Sequence, residues 1–265
     1  MKLSIQHETI YRYDAPVRSS TQCIRLTPRE TARHTVTHWA LDTPRPAMQT
    51  HDGYGNVLHV LTLDKPVREI RIRAHGVMQS GEAPREAADP TWSGLSPLVF
   101  LRPTAITRGD EGIARFAEPF RRRSGVLTGL RELAGEITSK FPLTEQREDS
   151  LTAAEAFAAG RACARDRAHL FIACCRHVGA PARYVSGYVI SNLKDDPRIL
   201  AHAWTEAWVT DRWRSFDLAD NSPTATEHVK LAVGADYLDA CPIRGVRTGG
   251  GIESMETHAK VQIAQ

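Results

Sequence analysis

The chain has 265 residues, a length that suits one large domain or two modest ones. Hydrophobic residues make up 42% of it and charged residues 25%, a composition that excludes a disordered or fibrous protein. The 34 Lys and Arg against 31 Asp and Glu leave a formal charge of +3, too small and too scattered to indicate nucleic acid or a membrane as the main partner.

The first residues, MKLSIQHETIYRY, alternate apolar and polar side chains, which is not the pattern of a secretory signal or an anchor. No segment approaches the roughly 18–20 apolar residues that a transmembrane helix needs. The five cysteines are odd in number, and their only close pair is Cys174 and Cys175, which disfavours a disulfide framework or a C-x-x-C metal site. We therefore expect a cytoplasmic protein.

The first region, residues 1–80, has a period of two over short runs such as HETIYRY, TQCIRLTP and NVLHVLTL. Runs at this spacing predict an antiparallel, sandwich-like β unit without a notable helix. Residues 81–125 contain recurring Pro and Gly without a sustained period, and predict a connecting segment that leaves room for one short helix. Its basic run, Arg121-Arg122-Arg123, is typical of a solvated surface.

The third region, residues 126–265, begins with a period near 3.6. GLRELAGEITSKF predicts an amphipathic helix that Pro142 ends, and Thr152 and Glu155 have the spacing of a capping box for a second helix. ACARDRAHLFIACCRHVG is apolar nearly all round from Ala168 to Cys175, which indicates a helix buried in the centre of a domain and ended by Gly179 and Pro181. The β-type runs RYVSGYVI, HAWTEAWV and RWRSFDL follow, so helices precede an antiparallel sheet in an α+β fold.

The last two of these runs are separated only by Thr210-Asp211, a hairpin signal. A two-residue turn there would set Asp217 opposite Trp204, with His202 as a diagonal neighbour on the same face. A shift of one residue would turn Asp217 to the other face and separate the pair.

Thiol acyl transfer requires an activated cysteine, an imidazole that shares its proton and a group that orients the imidazole. Cys163 is predicted at the start of the buried helix, where backbone N–H groups and the helix dipole stabilise a thiolate. His202 is the candidate base and Asp217 its orienter. Cys174 and Cys175 lie deep in the apolar helix, where cysteines are usually inert packing.

Three stretches, ACARDRAHLFIACCRHVGAPARYVSGY, AHAWTEAWVTDRWRSFDLADN and HVKLAVGADYLDACPIRGVRTGGG, resemble the bacterial transglutaminase-like proteins. The resemblance implies a papain-like transglutaminase core, with a central helix packed on an antiparallel sheet, behind a β-rich amino-terminal region. It also implies a catalytic triad in which His202 of the HAW motif is the base and Asp217 of the FD motif orients it.

The cysteine departs from the family motif, which resembles G-V-C-x-D-x-A-H. Asp166 and His169 match, but counting back places Ala164 at the nucleophile position and Cys163 one residue earlier, a rotation of about 100° on a helix. Three interpretations stay open: Cys163 is the nucleophile on a helix that starts one residue differently, the chain is a relative that has lost its nucleophile, or Ala164 is an engineered change.

Four neighbouring residues have structural interpretations beside functional ones. We favour helix N-terminal charge stabilisation for Asp166 and a hydrogen-bonded core position for His169. Trp204 and Trp208 share the predicted His202 face, where they would line a cleft or pack under the sheet.

The leading hypothesis is a transglutaminase-like thiol protein that acts on peptide or isopeptide amides, by hydrolysis in preference to crosslinking, or an inactive descendant. The alternative is a non-catalytic module that holds a peptide or protein in the same cleft. Neither needs a metal or an organic cofactor, and the 11 histidines show no ligand spacing near a carboxylate. The expected partner is a peptide or protein substrate, and the oligomeric state is left open.

Overall fold

A computed structural model describes residues 1–81, 95–121, 125–145, 151–191, 197–219 and 227–264. The described chain contains a seven-stranded sheet and a four-stranded sheet, with helices packed on the second. In these ranges no helix has both the length and the apolar character to cross a membrane.

The amino-terminal region is built of strands, as its period-two pattern predicts, and its described residues contain no helix. Alternate side chains such as Leu3 and Ile5 are buried, because successive residues of a strand face opposite sides. The strands are β1 (Lys2–Ile24), β2 (His34–Asp42), β3 (Met48–His51), β4 (Val57–Leu63) and β5 (Val67–Ser80). Strand β1 pairs with β5 and β4, and its pairing with β5 shifts register between Arg12 and Val17.

The last two strands, β10 (Ile243–Gly249) and β11 (Glu253–Ala264), pair antiparallel with β1. The sequence-based division assigned them to the third region, 126–265, and that division stays a prediction. The pairing nevertheless places residues 243–264 in the first sheet. Periodicity identifies a strand but not its partner, because pairing between the two ends of a chain depends on tertiary packing.

The described part of the connecting segment contains the one short helix for which the sequence left room. It contains α1 (Glu111–Ala117), which Asp110 caps by accepting a 2.9 Å hydrogen bond from the Ile113 N–H. Short 3₁₀ turns lie at Pro97–Leu101 and Glu118–Phe120. Helix α1 is too short for a clear period, yet it packs on the central helix of the core. Of the basic run, Arg121 is exposed, and Arg122 and Arg123 lie outside the described residues.

The two predicted surface helices are confirmed. Helix α2 (Val126–Lys140) buries Leu130, Leu133 and Ile137 on one face and ends just before Pro142. Helix α3 (Ala153–Ala159) begins with the predicted capping box: the Thr152 hydroxyl accepts from the Glu155 N–H at 3.2 Å, and Glu155 accepts from the Thr152 N–H at 2.8 Å.

The central helix, α4 (Ala164–His177), is buried from Arg165 to Cys175. The apolar sequence predicts this burial for residues 168–175, but not for the charged side chains of its first turn. Gly179 ends it with a φ of 87°, a left-handed conformation that glycine adopts without strain. The four-stranded sheet runs in the order β8-β7-β6-β9. Its strands are β6 (Ala182–Ser191), β7 (Arg198–Val209), β8 (Arg212–Phe216) and β9 (Glu227–Gly234), followed by the short helix α5 (Tyr237–Ala240). The α+β fold with a central helix on an antiparallel sheet is confirmed.

The predicted hairpin register is also confirmed. Strands β7 and β8 pair Val209 with Arg212 and Thr205 with Phe216, so the next opposed positions are Trp204 and Asp217. The turn requires a φ of 63° at Thr210, which is unusual for a β-branched residue.

The two sheets share one hydrophobic cluster, in which Tyr188 and Val229 of the second sheet pack with Leu3 and Ile5 of β1. A second contact is the turn at residues 52–56. Its Asn56 is fully buried and hydrogen-bonds both the N–H and the C=O of Val233 on β9. The amino-terminal region thus supports the sheet that carries the candidate site.

Candidate functional site

The start of helix α4 carries both candidate nucleophile positions. Cys163 is the N-cap residue and is only 2% exposed, whereas Ala164, the first helical residue, is half-buried. Asp166 in the first turn accepts a hydrogen bond from the Cys163 N–H at 3.2 Å and another from the Leu151 N–H at 3.1 Å. Asp166 therefore has the capping role that the sequence favours.

The thiol of Cys163 does not have the electrostatics of an activated nucleophile. Burial raises its pKa above the ordinary value, and the neighbouring Asp166 carboxylate raises it further. Backbone N–H groups of the first turn oppose these effects without overcoming them. At neutral pH the Cys163 side chain is therefore a protonated thiol.

His202 on β7 and Asp217 just after β8 form the pair that the hairpin register predicts. The His202 Nε2 atom lies 2.7 Å from Asp217 Oδ2, and the other carboxylate oxygen accepts from the Ala219 N–H at 3.0 Å. Burial raises the pKa of Asp217, but hydrogen bonds from His202 and His228 outweigh it and hold the pKa below its usual range. Since a carboxylate only accepts, His202 donates from Nε2 and its Nδ1 is left to take a proton.

His228 on β9 is a site residue that sequence reasoning missed. Its Nε2 atom lies 2.8 Å from the same oxygen, Asp217 Oδ2. The two imidazole rings have centroids 5.6 Å apart, and the three ligand atoms of His202, Asp217 and His228 lie within 4.8 Å of one another. His228 begins the stretch HVKLAVG, which carries a strand pattern but no local signal that its first residue reaches a hairpin two strands away.

Trp204 forms the inner wall beside these histidines. It is 2% exposed, its ring lies parallel to His202 at 6.1 Å, and it packs with Val185, Val233 and Tyr54. Trp204 is thus a core residue that also packs against the His202 ring. Trp208 instead contacts Trp213, with centroids 5.5 Å apart.

The structure joins His202 to Asp217 but does not join Cys163 to His202. Alternation along β7 places His202 on the Trp204 face, whereas Ala203 and Ala207 on the other face pack in the core around α4. Within the described residues no hydrogen bond links the Cys163 thiol to His202. The catalytic roles of these residues stay predictions.

The remaining candidates on α4 have structural roles. His169 is fully buried and accepts a 3.2 Å hydrogen bond from the Tyr237 N–H, and burial lowers its pKa to about 3. Cys174 and Cys175 are fully buried, and burial raises the pKa of both thiols. All three are therefore uncharged core residues at neutral pH.

A buried central helix on an antiparallel sheet, with a His–Asp pair at the β7–β8 hairpin, defines the class as a papain-like α+β fold. Family models sharpen this assignment. Residues 3–79 match the bacterial transglutaminase-like N-terminal region, and residues 115–218 match the transglutaminase-like superfamily core. The chain belongs to the transglutaminase-like superfamily and carries the amino-terminal region of its bacterial members.

Similarity to known proteins extends over nearly the whole chain. An uncharacterized protein of Mycobacterium leprae (strain TN) is 26% identical over 98% of this chain and 98% of its own length. One from Mycobacterium tuberculosis (strain ATCC 25618 / H37Rv) is 28% identical over 91% of this chain and 86% of its own. The crystal structure of a putative cysteine protease from Cytophaga hutchinsonii superposes with a TM-score of 0.77, at 20% identity, over 99% of this chain and 90% of that one. This likeness supports the fold.

Proposed function

We propose that this protein binds a peptide or isopeptide amide in its transglutaminase-like cleft and does not perform thiol acyl transfer through Cys163. One observation carries the proposal. The half-buried first residue of α4, in the nucleophile register of the family, is Ala164, whereas the neighbouring thiol of Cys163 is buried and protonated. An alanine cannot attack a carbonyl, and a protonated thiol attacks poorly.

The polar part of the site still has a binding role. With Nε2 directed at Asp217, Nδ1 is the ring nitrogen of His202 left for a ligand, and it would accept a hydrogen bond from an amide N–H or, when protonated, donate to a carbonyl. The five cysteines are all free thiols, which supports the cytoplasmic location that we propose.

Thiol catalysis by Cys163 is the second candidate, because this residue holds the N-cap position of α4. In that cycle the thiolate attacks an amide carbonyl while His202 takes the thiol proton and returns it to the leaving amine. The acyl-enzyme then passes to water or to an amine, and no cofactor takes part.

Thiol labelling separates the two candidates. The native protein is treated with iodoacetamide from pH 5 to pH 9, and the modified residue is mapped by mass spectrometry against a Cys163→Ser control. We expect Cys163 to react more slowly than the free thiol of glutathione at every pH. Rapid modification of Cys163 below pH 7, slowed by His202→Ala, would overturn the proposal in favour of thiol catalysis.

Restoring a thiol at the family position tests whether the cleft is intact. The family resemblance, and not a contact with His202 in the structure, assigns the nucleophile to position 164. On that ground we expect Ala164→Cys, made in a Cys163→Ser background, to react rapidly with iodoacetamide below pH 7 and to lose this reactivity with His202→Ala. Ala158→Cys, on the exposed part of α3, is the matched control and should react as an ordinary thiol. Equal reactivity of the two variants would show that position 164 does not face His202.

Binding itself is measured by fluorescence anisotropy with fluorescein-labelled casein peptides. We expect saturable binding that His202→Ala weakens about tenfold, since one hydrogen bond to a charged or polar partner contributes about 1.5 kcal/mol. If the peptides bind neither the native protein nor the Ala164→Cys variant, the proposed binding function is refuted.

A further inference from the structure

We propose that His202, Asp217 and His228 form a binding site for one divalent transition-metal ion of the zinc class. The inference concerns the same side chains as the peptide cleft but does not depend on peptide binding. It rests on three ligand atoms that converge to within 4.8 Å of one another: His202 Nε2 from the middle of β7, Asp217 Oδ2 from the residue after β8, and His228 Nε2 from the start of β9.

The two imidazoles meet over Gly187 of β6, which has no side chain to separate them. Strands β7 and β9 flank β6, and Gly187 of β6 pairs with His202 on one side. A Cβ atom at Gly187 would lie 2.1 Å from the Val229 carbonyl oxygen and 2.7 Å from the Trp204 ring, so any larger residue would disrupt this packing. The glycine lets Trp204 lie flat beside His202, and the rings of His202 and His228 meet across β6.

The donor set matches a known coordination preference. Two imidazole nitrogens and one carboxylate oxygen are ligands of Zn²⁺ and of other first-row divalent ions, and three protein ligands leave a position for water or substrate. The carboxylate is fixed for this purpose, because Oδ1 of Asp217 accepts from the Ala219 N–H and Oδ2 alone faces both rings.

The distances require adjustment in both directions, because the two imidazole nitrogens stand up to 4.8 Å apart while each lies closer than that to the carboxylate oxygen. The Nε2–Oδ2 separations are 2.7 and 2.8 Å, whereas ligand atoms about 2.0 Å from a tetrahedral ion stand about 3.3 Å apart. Binding therefore widens each Nε2–Oδ2 separation by about half an ångström and brings the two Nε2 atoms from at most 4.8 Å to about 3.3 Å. It also moves the proton of each imidazole from Nε2 to Nδ1. The side chains of the three residues are 12%, 18% and 23% exposed, so an ion can enter and still be shielded from bulk water.

The test is a titration of the full-length protein, stripped with EDTA, with Zn²⁺ in a calorimeter and with Co²⁺ in a spectrophotometer. We expect one ion per chain, visible d–d bands typical of a four- or five-coordinate site, and no thiolate-to-cobalt charge-transfer band. His228→Gln and Asp217→Asn should each weaken binding about 100-fold or more.

The matched control is His75→Ala. His75 also contacts a carboxylate, Asp42 at 3.2 Å, but lies on the first sheet, where the described residues bring no second imidazole within ligand distance. We expect this variant to bind as the native protein does. Native-like binding by His228→Gln, or a stoichiometry of zero, would overturn the proposal. If the variants fail to fold, X-ray absorption of the native zinc-bound protein provides the test. Sulfur among the atoms bound to zinc would assign the ion to a cysteine site and refute the proposed site.

Discussion

Asn56 is the residue whose loss should most directly separate the amino-terminal region from the candidate site. Its side chain has no exposed surface, and it connects the turn at residues 52–56 to β9. The Nδ2 group donates to Val233 O at 2.8 Å and to Asp52 Oδ2 at 2.9 Å. The Oδ1 atom accepts from the Val233 N–H and from Arg29, each at 2.8 Å. The same turn places Tyr54 against Trp204.

The expected cost of Asn56→Ala follows from these partners. The substitution leaves the N–H and C=O of Val233 buried without their side-chain partner, at about 1–3 kcal/mol for each unsatisfied group. It also removes one hydrogen bond from a charged guanidinium, which contributes about 1.5–3 kcal/mol. Water entering the vacated space recovers part of this, so we expect a net loss of about 3–5 kcal/mol in the free energy of unfolding.

Urea denaturation, followed by tryptophan fluorescence and by far-ultraviolet circular dichroism, measures this loss. A shift of roughly 10 °C in the melting temperature should accompany it. Gln49→Ala, on exposed strand β3, is the control and should change the free energy of unfolding by less than about 0.5 kcal/mol. A loss below about 1 kcal/mol for Asn56→Ala would mean that the turn does not support β9, and the argument for its role would fail.

Three further substitutions test separate features by urea denaturation. Thr210→Gly should stabilise the protein by about 1 kcal/mol, because it relieves a φ of 63° at a β-branched residue, and a loss of stability would contradict this. Glu206→Ala should lower the free energy of unfolding by about 3–5 kcal/mol, because it removes the carboxylate that pairs with the buried side chains of Arg183 and Lys230. These two cations hold the pKa of Glu206 well below its usual range although burial alone would raise it, and a loss under about 1 kcal/mol would refute this role. Burial lowers the pKa of His7 from 6.5 to about 4, so its contribution to stability is complete above pH 6.5 and is lost as the pH falls toward 4. His7→Gln should therefore reduce the loss of stability between pH 7 and pH 4.5 by about 2 kcal/mol, and an unchanged pH dependence would exclude this role.

Local patterns predicted most of the fold and the His–Asp pair. The apolar run of α4, the capping box at Thr152 and the two-residue turn at Thr210 act over a few residues, so the sequence near each position determines the outcome. The hairpin register could be counted for the same reason, and it brought Asp217 to His202.

The features that the sequence did not predict depend on distant pairings. Strands β10 and β11 return to β1 from the other end of the chain, and β9 places His228 beside a hairpin that it does not adjoin. The burial of Cys163 is also tertiary, because one position along a helix start decides whether a side chain faces the core or the cleft.

His202 connects the two proposals, because its imidazole cannot bind a peptide N–H and a metal ion at the same time. To accept a hydrogen bond from a peptide N–H, or a proton from an introduced thiol, His202 needs its Nε2–H donated to Asp217 and a bare Nδ1. As a metal ligand through Nε2, it must carry its proton on Nδ1 and can no longer accept one.

Zinc should therefore suppress the His202-dependent thiol reactivity of Ala164→Cys in the Cys163→Ser background. We expect one equivalent of Zn²⁺ to reduce the iodoacetamide rate at least tenfold below pH 7, and EDTA to restore it. Adding His228→Gln to this variant removes one metal ligand but leaves the His202–Asp217 pair, so zinc should then have little effect. Suppression that persists without His228 would mean that zinc binds the introduced thiol directly. Stoichiometric zinc binding with no effect on the rate would place the ion away from His202.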